Sequence, residues 1–248
     1  MYKLLNGNCF DLISKIPNKS IDLILTDPPY LFNRGGGKTA GTEGKSKIAN
    51  SDLYKFDGKT MAEMGNFDKP QIYRLLNESK RVCKKMRGYY FCNETALQYY
   101  LSWATENNCK YNIITLEKPP SILNRNRYST NSEFFVRVIA KSGAGIKILD
   151  YNDEQNNIEW LYSVQRFNKI SNKLHPSEKP LNILNGVIQL NTNEGDLILD
   201  PFMGSGSTGI ACLNAKRNFI GMELDKKYFD IAKNRIENLH NSLTNNVI

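Results

Sequence analysis

Residues 195–225 of this chain read GDLILDPFMGSGSTGIACLNAKRNFIGMELD, a pattern that predicts a strand, a glycine-rich turn, a helix and a second strand in succession. The first of these strands ends in Asp200, and the turn that follows it contains Gly204, Gly206 and Gly209. This is the layout of a Rossmann-type nucleoside site, in which glycines let the backbone approach the ligand closely.

The rest of the chain alternates between strand-like and helix-like segments, which favours an α/β fold over an α+β fold. The strand candidates are residues 2–5, 22–26, 88–92, 113–117, 134–140, 197–200 and 218–223. The helix candidates are residues 71–85, 94–107, 180–190, 207–215 and 226–239. In the last helix, Ala232 and Ile236 fall on one apolar face, and Asp225 precedes the helix as an N-cap.

Two segments do not follow this alternation. Residues 31–68 are rich in Gly, Lys and Ser, and residues 142–174 are polar and irregular. Loops of this length inside a compact domain are usually functional or disordered. Because no repeat and no interdomain linker is found, the sequence predicts one domain over residues 1–248, with loop insertions at about 31–68 and 142–174.

The acids beside the glycine turn restrict the ligand. Glu223 ends the second strand, where an acid holds the ribose hydroxyl groups of a nucleoside. The turn lacks the Gly-Lys-Ser/Thr of a P-loop, which disfavours a triphosphate. Asp200 would repel a pyrophosphate and attract an ammonium group, so S-adenosylmethionine fits better than NAD. The alternative is a glycine turn that only joins a strand to a helix.

A second motif, LILTDPPYLF at residues 23–32, places an acid at the end of an apolar run. The two prolines after Asp27 prevent a regular strand or helix from continuing. A rigid turn with a core tyrosine is the structural alternative to a catalytic role.

The charge balance favours a polyanionic partner such as nucleic acid. Lys and Arg total 33 against 25 Asp and Glu, which gives a net charge of +8. Five scattered cysteines without a C-x-x-C indicate reduced thiols in a cytosolic protein, and only two histidines argue against a histidine-based metal site. No membrane span and no signal-peptide core are found, so we expect a cytoplasmic protein with no membrane partner and no metal.

Read together, several motifs resemble the β class of amino-methylating DNA methyltransferases over most of the chain. They are DPPY before DPFMGSGSTG, HPSEKP at 175–180, GNCFDLI near the start and KPPSILNRNRYSTNSEFFV in the middle. The resemblance implies an S-adenosylmethionine-dependent methyltransferase fold: a seven-stranded, mostly parallel sheet with one reversed strand. The catalytic half precedes the cofactor half, and strand 2–5 lies beside strand 218–223.

The resemblance implies catalytic roles for Asp27, Pro28, Pro29 and Tyr30. The Asp27 carboxylate and the Pro28 carbonyl would accept the N–H groups of an exocyclic amine and make its lone pair available. Asp27 would then stabilise the positive charge that develops on nitrogen. A base in duplex DNA must leave the stack to reach a buried cofactor, and Tyr30 would stack on the flipped ring, with Phe32 lining the same mouth.

The resemblance also implies a cofactor site. Asp200 and the glycine turn would hold the methionine portion, Glu223 the ribose, and Lys179 and Pro180 would cover the methionine end. Asn8 stands where the family usually has an aspartate that contacts the cofactor's adenine, and its amide carbonyl still offers an acceptor. The full set of expected cofactor-binding residues is Asn8, Cys9, Asp27, Lys179, Pro180, Asp200, Pro201, Phe202, Gly204, Ser205, Gly206, Ser207, Thr208, Glu223 and Leu224.

Basic loops next to the catalytic motif and in the middle of the chain indicate contact with double-stranded DNA. The expected DNA-binding residues are Arg34, Lys38, Lys45, Lys47, Arg125, Arg127 and Tyr128. A solvated lysine-rich surface is the alternative for any one of them. Residues 142–174 are too few for a separate recognition domain, which predicts a short recognition sequence or weak selectivity.

The sequence is compatible with three functions. In the family, an aspartate at the first position of the DPPY motif tends to accompany N6-adenine methylation and a serine N4-cytosine methylation, so Asp27 favours adenine. The alternatives are an N4-cytosine DNA methyltransferase and a non-catalytic nucleic-acid-binding protein that retains the fold. The sequence leaves open a homodimer, a cognate restriction endonuclease and the identity of the recognition sequence.

Overall fold

The computed structural model describes residues 1–29, 67–117, 132–142 and 179–245, together with the backbone of residues 164–166. These parts of the chain contain eight strands: β1 (Tyr2–Asn6), β2 (Leu23–Thr26), β3 (Arg87–Cys92), β4 (Cys109–Glu117), β5 (Ser132–Ala140), β6 (Val164–Arg166), β7 (Leu197–Asp200) and β8 (Asn218–Glu223). The helices described are α1 (Cys9–Ile13), α2 (Lys69–Val82), α3 (Glu94–Glu106), α4 (Leu181–Asn191), α5 (Ser207–Asn214) and α6 (Lys226–Asn245).

The strands form a single sheet in the order β1-β8-β7-β2-β3-β5-β4-β6. β5 runs antiparallel to both of its neighbours, and every other pair is parallel. The mostly parallel sheet with one reversed strand is therefore confirmed. The described sheet has eight strands instead of seven because β6, a three-residue strand with the sequence VQR, pairs with β4 at the edge. A strand of only three residues is too short to show an alternation of apolar and polar residues, so β6 was not expected from the sequence.

The two ends of the described chain meet in one half of the sheet. β1 pairs in parallel with β8, from Tyr2 opposite Phe219 to Asn6 opposite Glu223. This confirms the expected position of the N-terminal strand.

Helices cover both faces of the sheet. The helices α1, α2 and α3 pack on one face, and α4, α5 and α6 pack on the other. All four residues of β2 are buried, with Ile24 in the first core and Leu23 and Leu25 in the second. Alternation of side chains between the two faces explains why this buried strand reads as a continuous apolar run.

Several boundaries differ from those expected. β4 begins at Cys109, not at residue 113, because the pairing with β5 extends to Cys109 opposite Ala140. The five-residue helix α1 was not expected, and α6 continues beyond residue 239 to Asn245. Asp225 does cap α6, since its Oδ1 accepts the backbone N–H of Lys227 at 2.8 Å.

All five cysteines lie in the described part of the chain, and each is a free thiol. Four of them are buried and Cys109 is half-buried, as expected for reduced cysteines that fill a core. None of the described helices has the length and apolar character needed to cross a bilayer.

Candidate active site

The two sequence motifs meet because β2 and β7 are adjacent parallel strands. Leu23 lies opposite Ile198 and Ile24 opposite Leu199. At the carboxyl ends of these strands, the buried hydroxyl of Thr26 donates to Asp200 Oδ1 at 2.6 Å. Ligands of open α/β sheets bind in the crevice outside the carboxyl ends of the strands, so the two motifs share one such crevice.

Asp200 is a buried carboxylate surrounded by donors. Besides Thr26, it accepts the backbone N–H of Phe202 at 3.1 Å and the side-chain hydroxyl of Thr208. The pKa of Asp200 is raised to about 6, mainly by burial. The nearby Asp27 also raises this pKa, and the three hydrogen-bond donors lower it. A positively charged ligand group would favour the ionised carboxylate, which fits the amino acid portion of S-adenosylmethionine.

Glu223 orders the turn on the other side of the crevice. Its Oε2 accepts the backbone N–H of Gly204 at 3.0 Å, and its Oε1 accepts the N–H of Asp225 at 2.8 Å. Burial raises the pKa of Glu223 to about 7 despite these two donors. Each carboxylate oxygen has a second lone pair, so Glu223 can also accept the hydroxyl groups of a ribose.

The glycine turn is held in place by α6. Gly206 has φ = +85°, and a Cβ built on it would lie 3.0 Å from the Cβ of Ala232. Arg235 of α6 donates from Nη1 to the backbone carbonyl of Ser205 at 2.7 Å and to its Oγ at 3.1 Å. Arg235 was not expected as a site residue, because the sequence does not distinguish it from a solvent-exposed arginine on a helix.

Gly206→Ala is expected to weaken cofactor binding by about tenfold or more and to destabilise the fold by about 1–3 kcal/mol. The substitution adds both backbone strain and a contact with Ala232 that would displace the turn. Isothermal titration calorimetry with the cofactor and urea unfolding measure the two effects. Gly195→Ala is the matched control, because Gly195 has φ = +82° but nothing within 4 Å of its added Cβ. Equal losses of cofactor affinity in the two variants would contradict this role of the turn.

The end of β1 lies against Glu223. The side-chain amide of Asn6 donates to the backbone carbonyls of Glu223 at 2.8 Å and of Leu224 at 3.1 Å. Asn8 follows, and its Oδ1 caps α1 by accepting the backbone N–H of Phe10 at 2.9 Å. An aspartate would make the same cap, so the exchange of aspartate for asparagine preserves the local structure. A contact between Asn8 and the cofactor's adenine stays a prediction.

An aromatic cluster lies beside the same turn. Phe67 packs edge-on against Phe202, with 5.3 Å between ring centroids, and lies parallel to Phe10 at 6.4 Å. Cys9 is buried in the same core, and burial raises the pKa of its thiol to about 12. Such a thiol is unreactive, which agrees with a reaction that needs no cysteine nucleophile. Phe67 was not expected beside the glycine turn, because it lies in none of the sequence motifs.

Lys179 contacts the expected catalytic acid. Its Nζ lies 3.1 Å from Asp27 Oδ2 and 3.1 Å from Glu133 Oε2, and 4.9 Å from the ring centroid of Phe91. Burial disfavours the ammonium, but the two carboxylates outweigh burial and raise the pKa of Lys179. A contact with the cofactor's methionine end stays a prediction for Lys179. Glu133 was not expected as a site residue.

The other expected residues divide into two groups. Within the described chain, Pro28, Pro180, Pro201, Ser205 and Ser207 are buried around the crevice motifs. Pro29 and Leu224 are half-buried in the described chain. The other expected residues, together with Phe32 and His175, lie outside the described residues, and their roles stay predictions. These residues are Tyr30, Arg34, Lys38, Lys45, Lys47, Arg125, Arg127 and Tyr128.

Comparison with known proteins agrees with this geometry. The sequence matches the DNA methylase family over residues 21–234. M2.MboI, a type II methyltransferase of Moraxella bovis, is 32% identical over 257 residues, which cover 98% of this chain and 90% of that protein. The DNA adenine methyltransferase YhdJ of Escherichia coli K12 is 24% identical, with 94% of this chain and 82% of YhdJ covered. The solved M1.HpyAVI–SAM complex has a TM-score of 0.66 at 25% identity and covers 95% of this chain and 100% of its own.

The chain belongs to the DNA methylase family, since the match spans most of its length. The α/β methyltransferase fold expected from the sequence is confirmed, and so is S-adenosylmethionine as the cofactor. The enzyme is a methyltransferase that acts on DNA, which excludes the non-catalytic alternative. The roles of individual residues stay predictions.

Proposed function

We propose that this enzyme, in the cytoplasm, transfers a methyl group from S-adenosylmethionine to the N6 amine of adenine in double-stranded DNA. The observation that carries the proposal is the hydrogen bond from Thr26 to Asp200, because it joins the catalytic strand to the cofactor strand at their carboxyl ends. Asp27, the next residue after Thr26, therefore lies beside the expected cofactor pocket. A methyl donor held by Asp200 would be within reach of an amine held by Asp27.

The chemistry assigned to Asp27 and Pro28 follows from the low nucleophilicity of the adenine amine. The amine lone pair is delocalised into the ring, and two acceptors outside the ring plane favour a pyramidal nitrogen with an available lone pair. The Asp27 carboxylate and the Pro28 carbonyl supply these acceptors. As the nitrogen is methylated it becomes positively charged, and the carboxylate stabilises that charge. Tyr30 is proposed to stack on the flipped adenine.

The cofactor supplies an electrophilic methyl group on a sulfonium centre. Asp200 and the glycine turn are proposed to bind its methionine portion and Glu223 its ribose. Three features support this assignment: the raised pKa of Asp200, the raised pKa of Glu223, and the close packing of Gly206 against Ala232. A buried acid whose ionisation is disfavoured gains most from a ligand that is cationic or donates hydrogen bonds.

Adenine is proposed over cytosine on two grounds. The first is Asp27 at the first position of the motif, and the second is the likeness to a relative that is named a DNA adenine methyltransferase. N4-cytosine methylation would use the same acceptors, since both targets are exocyclic amines. The two reactions are therefore distinguished by the product and not by the geometry of the acid.

The target base is tested by nucleoside analysis. The enzyme is incubated with S-adenosylmethionine and DNA from cells that lack DNA methyltransferases, and the digested DNA is analysed by mass spectrometry. We expect N6-methyldeoxyadenosine. N4-methyldeoxycytidine would contradict the choice of base, and no methylated nucleoside from an enzyme that still binds the cofactor would contradict the function.

The proposal includes DNA contacts by the two insertions at 31–68 and 142–174 and a short or loosely defined recognition sequence. Phosphate contacts by lysine and arginine predict binding that weakens steeply with salt. A methylome from cells that express only this enzyme tests the recognition sequence, and a long, strictly defined site would contradict the proposal. A homodimer and a cognate restriction endonuclease, which the sequence leaves open, are tested by sedimentation and by the resistance of methylated DNA to a co-encoded nuclease.

A further inference from the structure

The ammonium of Lys179 lies between two carboxylates in the interior of the active site. Its Nζ is 3.1 Å from Asp27 Oδ2 and 3.1 Å from Glu133 Oε2. The three side chains are 10%, 17% and 22% exposed for Lys179, Asp27 and Glu133, so solvent screens this cluster much less than a surface ion pair. Phe91 lies under the ammonium, with 4.9 Å from Nζ to its ring centroid.

The fold brings these three residues together from distant parts of the chain. Asp27 follows β2, and Lys179 precedes Pro180, the N-cap residue of α4. Glu133 is the second residue of β5, which is antiparallel to its neighbour β3. Because β5 is reversed, its beginning lies at the same edge as the carboxyl ends of the parallel strands. The reversed strand thus delivers an acid to the catalytic edge.

We propose that Lys179 and Glu133 form a positioning pair for the catalytic acid Asp27: Lys179 fixes the Asp27 carboxylate, and Glu133 holds Lys179 in place. The inference rests on the proposed function, because it assigns the pair to the acid that accepts the target amine. An ion pair through Oδ2 restricts rotation of the carboxylate and so fixes its plane relative to the Pro28 carbonyl.

Glu133 is needed because Lys179 alone would weaken the acid that it positions. An ammonium paired with a single carboxylate neutralises it and reduces its attraction for a developing cation. When Lys179 is shared between Asp27 and Glu133, the three groups together keep one net negative charge. That charge favours the cation that forms on the target nitrogen, because the cluster is largely buried.

The competing explanation is that Lys179 binds the carboxylate of the cofactor's methionine portion. The two roles predict different kinetics. A positioning role changes kcat of methyl transfer and leaves the cofactor Kd almost unchanged, whereas a binding role changes the cofactor Kd and KM first. A merely structural role would lower the fraction of folded enzyme and change neither constant per folded molecule.

The first experiment measures single-turnover methyl transfer and cofactor Kd for Lys179→Met, Glu133→Gln and the double variant. We expect each single variant to lose about tenfold or more in rate, with less than about threefold change in Kd. The double variant is expected to lose little more than Lys179→Met, because both changes act through one ammonium. Lys179→Arg, which keeps the charge, is expected to recover part of the rate. Lys84→Met is the matched control, since the exposed Lys84 pairs with Asp22 at the opposite edge of the sheet.

The second experiment uses decarboxylated S-adenosylmethionine, which lacks the carboxylate that Lys179 would bind in the competing explanation. In a positioning role, Lys179→Met has the same small effect on the affinity of both cofactors. In a binding role, Lys179→Met weakens only the normal cofactor, and the wild type discriminates between the two while the variant does not. That result would overturn the inference.

The pH dependence of the single-turnover rate is a further test, because the variants at positions 179 and 133 are expected to shift it in opposite directions. Within the described part of the chain, the titratable groups around Asp27 include Lys179 before α4, Cys92 of β3, Tyr100 of α3 and Asp200 of β7, and Glu133 of β5 contacts the same ammonium of Lys179. Burial raises the pKa of both Cys92 and Tyr100, so these two stay neutral, and Asp200 is the same in every variant. Removing the cation at 179 is expected to move the acid limb to higher pH, and removing the anion at 133 to lower pH. Shifts in the same direction would overturn the inference.

Failure of this inference is distinguishable from failure of the proposed function. If the wild-type enzyme makes no methylated adenine, the proposed function fails and the variants are not informative. If the wild type methylates adenine and Lys179→Met has the wild-type rate, only the positioning role is overturned.

Discussion

Asp27→Ala is expected to lower the single-turnover rate of methyl transfer by about 10²–10³-fold while the enzyme still binds S-adenosylmethionine. The substitution removes the carboxylate that accepts the amine N–H and stabilises the developing positive charge. Asp27→Asn retains an acceptor oxygen without the charge, so its loss should be smaller than that of the alanine variant. Transfer of a radiolabelled methyl group from enzyme–cofactor complex to DNA measures both rates.

The control for this prediction is Asp22→Ala. Asp22 lies at the opposite end of β2, where it pairs with the exposed Lys84, so its loss should leave the rate per folded enzyme unchanged. Wild-type transfer by Asp27→Ala would contradict the assignment of Asp27 as the catalytic acid. A loss explained entirely by weaker cofactor binding would reassign Asp27 to the cofactor pocket.

The second large effect is expected for Asp200→Asn, which should weaken cofactor binding by about 10–100-fold, since hydrogen bonds to charged groups contribute about 1.5–3 kcal/mol. The amide oxygen can still accept hydrogen bonds from Thr26 and Phe202, so the variant should fold. Asp200→Ala would leave these buried donors unpaired and should also lower the free energy of unfolding by about 1–3 kcal/mol or more. Calorimetric titration and urea unfolding separate the two effects.

Asp196→Asn provides the comparison, because Asp196 lies just before the other end of β7, where its carboxylate accepts the local backbone N–H of Asn193 at 2.8 Å. Its cofactor affinity should equal that of the wild type. If Asp200→Asn binds the cofactor as tightly as the wild type does, Asp200 does not hold a charged part of the ligand.

The raised pKa values of Asp200, about 6, and Glu223, about 7, predict that cofactor affinity increases with pH. The folded, unliganded chain keeps protons on these acids that the unfolded chain has released, so its stability falls as pH rises from about 4 to about 7. A cationic ligand with ribose hydroxyl donors favours the ionised acids and offsets this loss. The increase in melting temperature caused by the cofactor should therefore be larger at about pH 7.5 than at about pH 5.5. Glu223→Gln should reduce that difference, and a constant or opposite difference would contradict the assignment.

The positions of Asp27 and Asp200 were predictable because each follows a buried apolar run and precedes a proline. Proline removes a ladder hydrogen bond, so the strand must stop at a definite residue. The glycine turn before α5 was predictable for a similar reason, because only glycine tolerates both the positive φ and the close approach to Ala232 at position 206. The position of β1 beside β8 and the presence of one reversed strand followed from the resemblance to a family and not from any local pattern.

Other parts of the site depend on packing between distant segments, which local sequence does not reveal. Nothing in SEFFV distinguishes a reversed strand from a forward one, so the position of Glu133 beside Lys179 could not be predicted. The contact of Arg235 with Ser205 depends on how α6 packs against the turn. β6 has only three residues, too few for an alternating pattern.

The most direct test is a structure of the enzyme with S-adenosylmethionine or an unreactive analogue and a DNA duplex that contains the target adenine. We expect the methyl group to lie between Asp200 and Asp27, about 3–3.5 Å from the amine nitrogen of a flipped adenine. The ribose should contact Glu223, and the amine should donate to the Asp27 carboxylate and the Pro28 carbonyl. A cofactor bound away from the crevice between β2 and β7, or a methyl group directed away from Asp27, would contradict the proposal that the two motifs hold the two reactants.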